Sequence, residues 1–296
     1  MKGLNKMDWV TIGQDIISNS ISGIIVATVC GVAGWIIYST GIKGKDRDQR
    51  ASVRKNEIYI PLKYELLKLI DMEKNIWEDI RVSHIRNIVE KNDELVVEDV
   101  LYQKCEILLE LIEQYNRINP YSVASNILCD RFTEKYGELY GATTHTETYY
   151  DSISKEEFIY ESQDPEIISF SYLADCDKNI DQIFNCSQYE EYYDDMGWTS
   201  PLEDYLTDLF ASCLPQKESL YKWIDLEKAK DPLLREKKIT PARYMARNFD
   251  FMKLFEENVK IKDKTECFYK IQELAFSTYE DVVVKIRTIG KKYEVE

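Results

Sequence analysis

The stretch from Ile16 to Ile42, IISNSISGIIVATVCGVAGWIIYSTGI, carries no charged side chain and constrains the chain more than any other feature. A run of this length and apolarity is long enough to cross a bilayer as a helix. Trp35 and Tyr38 stand near one end and Trp9 near the other, as amphipathic rings do at headgroup level. The expectation is a single transmembrane helix; a buried core helix is the competing reading. Ser20, Gly23, Ala27, Gly31 and Gly34 recur at steps of three and four and share one face. Gly23, Ala27 and Gly31 form a small-xxx-small seam, at which two helix backbones approach closely. Self-association or a pore lining is expected of that face.

The flanks set an expected orientation. Lys2, Lys6, Asp8 and Asp15 precede the run, and Lys43, Lys45, Arg47, Arg50, Arg54 and Lys55 follow it. Positive charge stays on the cytoplasmic side, so an inner-membrane, single-pass topology with the N-terminus outside is expected. A cleaved signal peptide fits less well, because apolar residues continue through Trp35, Ile36 and Ile37. The seven cysteines (Cys30, Cys105, Cys129, Cys176, Cys186, Cys213 and Cys267) are odd in number and include no CxxC pair. Reduced thiols in a cytosolic domain are expected.

The whole chain has 296 residues and net charge −15, which argues against indiscriminate nucleic-acid binding. With 44% hydrophobic residues it can bury a core. The segments expected are an N-terminus over 1–15, the span over 16–42 and a basic juxtamembrane linker over 43–60. A three-helix bundle is expected over 61–140, an acidic aromatic insert over 141–200 and a helical region packing on the bundle over 201–296. Within the bundle, Leu62, Leu66, Leu69, Ile76, Ile80 and Ile88 predict one helix from Pro61 to about Glu90. A second helix is predicted from Val96 to Ile118. A third begins at Asn119-Pro120, with Asn as cap and Pro in the first turn, and ends at Gly137 or Gly141.

Residues 141–200 hold fourteen carboxylates against Lys155 and Lys178, so a net −12 of the total is concentrated there. Aromatic residues are interleaved throughout. Ile167 to Leu173 is read as a short strand and Asp177 to Phe184 as a helical turn or two. Helices are then predicted over Leu202–Cys213, over Lys217–Lys230, from Thr240-Pro241 onward, and over Thr265–Ile289 with Gly290 past the end. The resulting fold class is mainly α: one N-terminal transmembrane helix, then a cytosolic helical bundle with an acidic, aromatic-rich insert.

No phosphate-binding loop, HExxH, GxSxG or dinucleotide fingerprint is present, so no cofactor is expected and a non-enzyme is favoured. His84 reads as a surface residue. His145 with Glu147 is a thin metal motif, and Asp175, Asp177 and Asp181 lack the spacing of a calcium loop. The candidate anion or nucleotide site is Arg235, Lys237, Lys238, Arg243, Tyr244 and Arg247, near a helix start where backbone N–H groups favour phosphate. The alternative is that these cations pair with the acidic insert.

One span followed by a helical cytosolic domain resembles, in architecture alone, the membrane effectors of bacterial anti-phage defence. That resemblance implies a homo-oligomer that receives a nucleotide, nucleic-acid or protein activator and forms a channel in the membrane. A tethered helical scaffold, recruiting a partner through the acidic insert and forming no pore, is the reading from another class. A membrane-anchored enzyme with a metal near His145 is the third.

Overall fold

The computed structural model describes residues 50–91, 97–195, 197–214 and 230–293. Among these residues, no helix is long and apolar enough to cross a membrane. The longest, Val259–Tyr293, has the length but carries charged side chains along its whole course. The expected span over 16–42, with Ser20, Gly23, Ala27, Gly31 and Gly34, lies outside the described residues. The fold class is therefore corrected: the chain is mainly helical with two small antiparallel sheets. The single-pass, inner-membrane placement that rested on the span is corrected with it.

The helices in chain order are α1 (Ile60–Ile70), α2 (His84–Glu90), α3 (Asp99–Arg117), α4 (Pro120–Tyr140), α5 (Pro165–Ala174) and α6 (Asp177–Cys186). They continue as α7 (Pro201–Cys213), α8 (Pro232–Arg235), α9 (Pro241–Ala246), α10 (Phe251–Glu257) and α11 (Val259–Tyr293). Strands β1 (Thr144–Asp151) and β2 (Glu156–Gln163) form one hairpin, and β3 (Tyr192–Asp194) and β4 (Gly197–Thr199) form another. The described residues divide into two compact units.

The first unit comprises α1, α2, the start of α3 and the end of α11. Leu62, Leu66 and Leu69 of α1, Ile85 and Ile88 of α2, and Ala275 and Val282 of α11 are buried in it. The predicted single helix over 61–90 is broken here. Ser83 supplies no side-chain cap to α2; Glu65 of α1 does so from a distance. Its Oε1 accepts the Ser83 and His84 N–H groups at 2.6 and 3.1 Å, and its Oε2 accepts the Ile85 N–H at 2.7 Å. Three donors that a helix start leaves without partners are thus met by one carboxylate.

The second unit holds Glu73–Arg81 and residues 107–272. The non-helical stretch before α2 is held there by α3. Asn116 accepts the Ile80 N–H and donates to the Ile80 carbonyl, both at 2.9 Å, and the Tyr115 hydroxyl donates to the Asn75 carbonyl at 2.9 Å. Trp77 stacks on Phe255 with ring centres 5.5 Å apart. The core is aromatic: Phe132 of α4 stacks on Phe170 of α5 at 4.1 Å, and Phe210 of α7 lies 5.5 Å from Phe132. Helix α4 starts as expected, with Asn119 Oδ1 accepting the Tyr121 N–H, and stops at Gly141, whose φ of 83° suits a residue without a side chain.

The expected strand at Ile167–Leu173 is helix α5 instead. Ile167, Phe170 and Ala174 fall on one helical face and are buried together. Gly290 does not end the last helix, which runs on to Tyr293. The predicted helix over Lys217–Lys230 lies almost wholly outside the described residues.

Candidate functional site

The acidic insert is built around the hairpin β1–β2. Its turn is local chemistry: Asp151 Oδ1 accepts the Ile153 N–H at 2.8 Å, and the Asp151 carbonyl accepts the Lys155 N–H at 2.8 Å. The Ile153 N–H, donated to the carboxylate, lowers the pKa of the Asp151 carboxyl. Lys155 takes a φ of 57° to close the loop. At the base, the Asp164 N–H donates to the Thr143 carbonyl at 3.1 Å and joins the hairpin to α5.

The register pairs His145 with Ser162, Glu147 with Tyr160, Tyr149 with Phe158, and Asp151 with Glu156. Alternation along a strand puts these eight side chains on one face and Thr146, Thr148, Tyr150, Glu157, Ile159 and Glu161 on the other. From base to tip the first face runs from imidazole, to carboxylate, to three rings, to two carboxylates. Its rings are open to solvent: Tyr149 is 59% exposed, Phe158 39% and Tyr160 52%. Ile159 on the opposite face is 72% exposed, and Ile153 in the turn 92%. Both faces are therefore bare, and residues 144–163 hold five carboxylates against Lys155, a net −4 with His145 neutral.

His145 closes the base of the aromatic face. Its Nε2 lies 2.7 Å from Glu147 Oε1 and 3.3 Å from Ser162 Oγ, and its Nδ1 lies 3.3 Å from Asp164 Oδ1. The hydrogen bond to Glu147, with the charge of both carboxylates, raises the imidazole pKa above its ordinary value. Among the described residues, no group of three His, Cys, Asp or Glu side chains stands close enough to hold a metal ion. Asp181 instead accepts the Tyr121 hydroxyl at 3.0 Å.

Two cations of the basic stretch, Lys238 and Arg243, are paired with the chain's own carboxylates. Helix α9 is six residues long, and Thr240 Oγ1 caps it by accepting the Arg243 N–H at 3.2 Å. The Arg243 guanidinium bonds Asp194 of β3 and lies 3.3 Å from Glu203 of α7. The Tyr244 hydroxyl donates to Glu138 Oε2 at 2.9 Å, with Lys135 over its ring, and Lys238 pairs with Glu236 at 2.6 Å. Arg235 and Lys237 are exposed around α8, and Arg247 ends α9 half-buried. Arg243 is thus paired with the insert, the alternative that the sequence left open.

A second exposed aromatic group lies at β3–β4, where Tyr193 and Trp198 meet edge to face with centres 5.9 Å apart. Sequence reading found the acidic aromatic character of this region but not its hairpins. The signal was present: Thr144, Thr146, Thr148, Tyr149 and Tyr150, then Phe158, Ile159 and Tyr160, are strand-favouring residues flanking the turn sequence DSISK. Compared with protein-family models, curated proteins and solved structures, the chain matches none of them.

Proposed function

We propose that this chain is a helical scaffold that recruits a partner protein through the acidic, aromatic β1–β2 hairpin. The observation that carries this reading is the exposure of Tyr149, Phe158 and Tyr160 together on one face of a hairpin bare on both sides. A two-stranded hairpin in water is marginal by itself, and three or more strands or a packed face are what stabilise it. Large rings are enriched where one protein anchors on another. The helical core of the second unit supplies the base, and the hairpin is the part left to be covered.

The test is a photocrosslinking residue at Ile153, in the hairpin turn, in the full chain expressed in its native cell. A control carries the same group at Tyr64 of α1, which is also exposed. The expected result is one discrete adduct from position 153, absent from position 64 and lost in Tyr149→Ala/Phe158→Ala. No adduct, or one that survives the double substitution, would overturn the reading.

A further inference from the structure

We infer that the occupant of the hairpin face is an extended, basic segment of the partner, with Lys or Arg two residues to either side of an apolar residue. This inference rests on the recruitment reading above and names the partner's chemistry. The face is ordered along the strand. Glu147 stands opposite Tyr160 at the base side, Tyr149 and Phe158 pair in the middle, and Asp151 and Glu156 stand at the tip side. Glu147 and Asp151 are four residues apart on one strand, which is about 13 Å of extended chain. In an extended peptide, side chains four residues apart project on the same side at the same spacing, with one further side chain midway between them.

A segment laid along the hairpin therefore sets one cation at Glu147, a second at Asp151 and Glu156, and the middle side chain on the rings. Charge complementarity selects the sign. With His145 neutral the hairpin is net −4, it stays acidic when His145 is charged, and Lys155 is in the turn rather than on this face. The imidazole of His145 sits beside Glu147 at the base and is itself bonded there, so it marks the end of the face. Rings suit this occupant twice over, since their faces attract the cations and their bodies bury the aliphatic stems of Lys and Arg. An acidic partner, or the phosphate backbone of a nucleic acid, meets like charge at both ends.

The probe is a synthetic peptide of about a dozen residues alternating Thr with Lys, Leu and Arg, so that cations and apolar side chains share one face. Its partners are a version with the cations replaced by Glu and a scrambled version of the same composition. Each is titrated against the full chain at low and at high salt. The alternating basic peptide should bind, its affinity falling about ten-fold in Glu147→Gln/Asp151→Asn/Glu156→Gln. It should fall similarly in Phe158→Ala, whereas the acidic peptide should not bind. The amide side chains keep the oxygens that His145 and the turn use.

A matched control, Glu190→Gln/Glu191→Gln/Asp195→Asn, removes the same charge elsewhere in the insert and should leave binding unchanged. Equal weakening in both triple variants, or equal binding of the scrambled peptide, would show attraction to net charge alone and overturn the inference. If the crosslink at Ile153 persists while the basic peptide fails to bind, the hairpin recruits a partner of another chemistry. If both fail, the recruitment reading falls as well.

Discussion

The ammonium of Lys264 lies 3.9 Å from the centre of the Tyr115 ring and donates to the Tyr115 carbonyl at 2.9 Å. It donates also to the Ile118 carbonyl, at 2.8 Å, and its side chain is 1% exposed. Helix α3 ends at Arg117, so these oxygens belong to the turn whose carbonyls have no partner within the helix. A cation there meets the negative end of the helix dipole and the ring face together. Burial pushes the Lys264 pKa down from its ordinary value, and the charge of Asp79 opposes that shift.

Lys264→Ala should therefore lower the unfolding free energy by about 3 kcal/mol, through two lost charge-assisted hydrogen bonds and a cavity. Lys264→Met keeps the stem and should lose less. Denaturant unfolding followed by circular dichroism checks the order, and an equal loss from both would show that packing of the stem is not part of the effect.

Glu65 capping α2 predicts a second, separate loss. Glu65→Ala should cost about 1–2 kcal/mol, within the range of a removed helix cap. The Ile85 amide should then lose protection against hydrogen exchange while the Phe132 amide in α4 keeps it. Unchanged exchange at Ile85 would show that water replaces the carboxylate without cost.

Gly141 isolates a backbone effect from a packing effect. A Cβ built there meets no atom within 4 Å, yet φ is +83°. Gly141→Ala should cost about 1 kcal/mol from conformation alone, and Gly141→Asn distinctly less. A thermal melt of both variants decides; an Ala variant as stable as the parent would rule out the left-handed cap.

His145 gives the pH dependence. Its folded pKa is raised, first by the hydrogen bond it donates to Glu147, above the unfolded value of about 6.5. The imidazolium is therefore favoured in the folded hairpin. Its contribution to hairpin stability is fully present below the unfolded pKa and is lost as pH rises through the folded pKa. The chain has two histidines, so proton NMR of the imidazole signals with and without His145→Gln assigns the titration directly. Glu147→Gln should move the His145 midpoint down. A midpoint that stays in place would mean that Asp164, not Glu147, stabilises the imidazolium.

Much of the helical framework was legible in the sequence because the signals that make it are local. Asn119-Pro120 starts α4, Gly141 ends it and Thr240-Pro241 starts α9, in each case through groups within three or four residues of one another. The apolar spacing that predicted a helix from Val96 to Ile118 meets α3 over Asp99–Arg117 for the same reason. The acidic, aromatic character of residues 141–200 was plain from composition, and with it the candidate surface in outline.

Tertiary structure decided what depends on partners far along the chain. The break between α1 and α2 exists because Asn116 and Tyr115 reach backbone groups 36 and 40 residues away, which no spacing rule registers. Helix α5 replaces the expected strand because Phe170 finds Phe132. Arg243, one of the cations of the basic stretch, is paired with Asp194 and Glu203 from two other elements, a pairing that spacing along the chain does not register. The three rings of the hairpin share a face only because the register of β1 on β2 sets Tyr149 opposite Phe158. Caps and periodicity act within a turn or two of backbone and can be read from the chain itself, whereas register, burial and charge pairing are set by which distant segments meet.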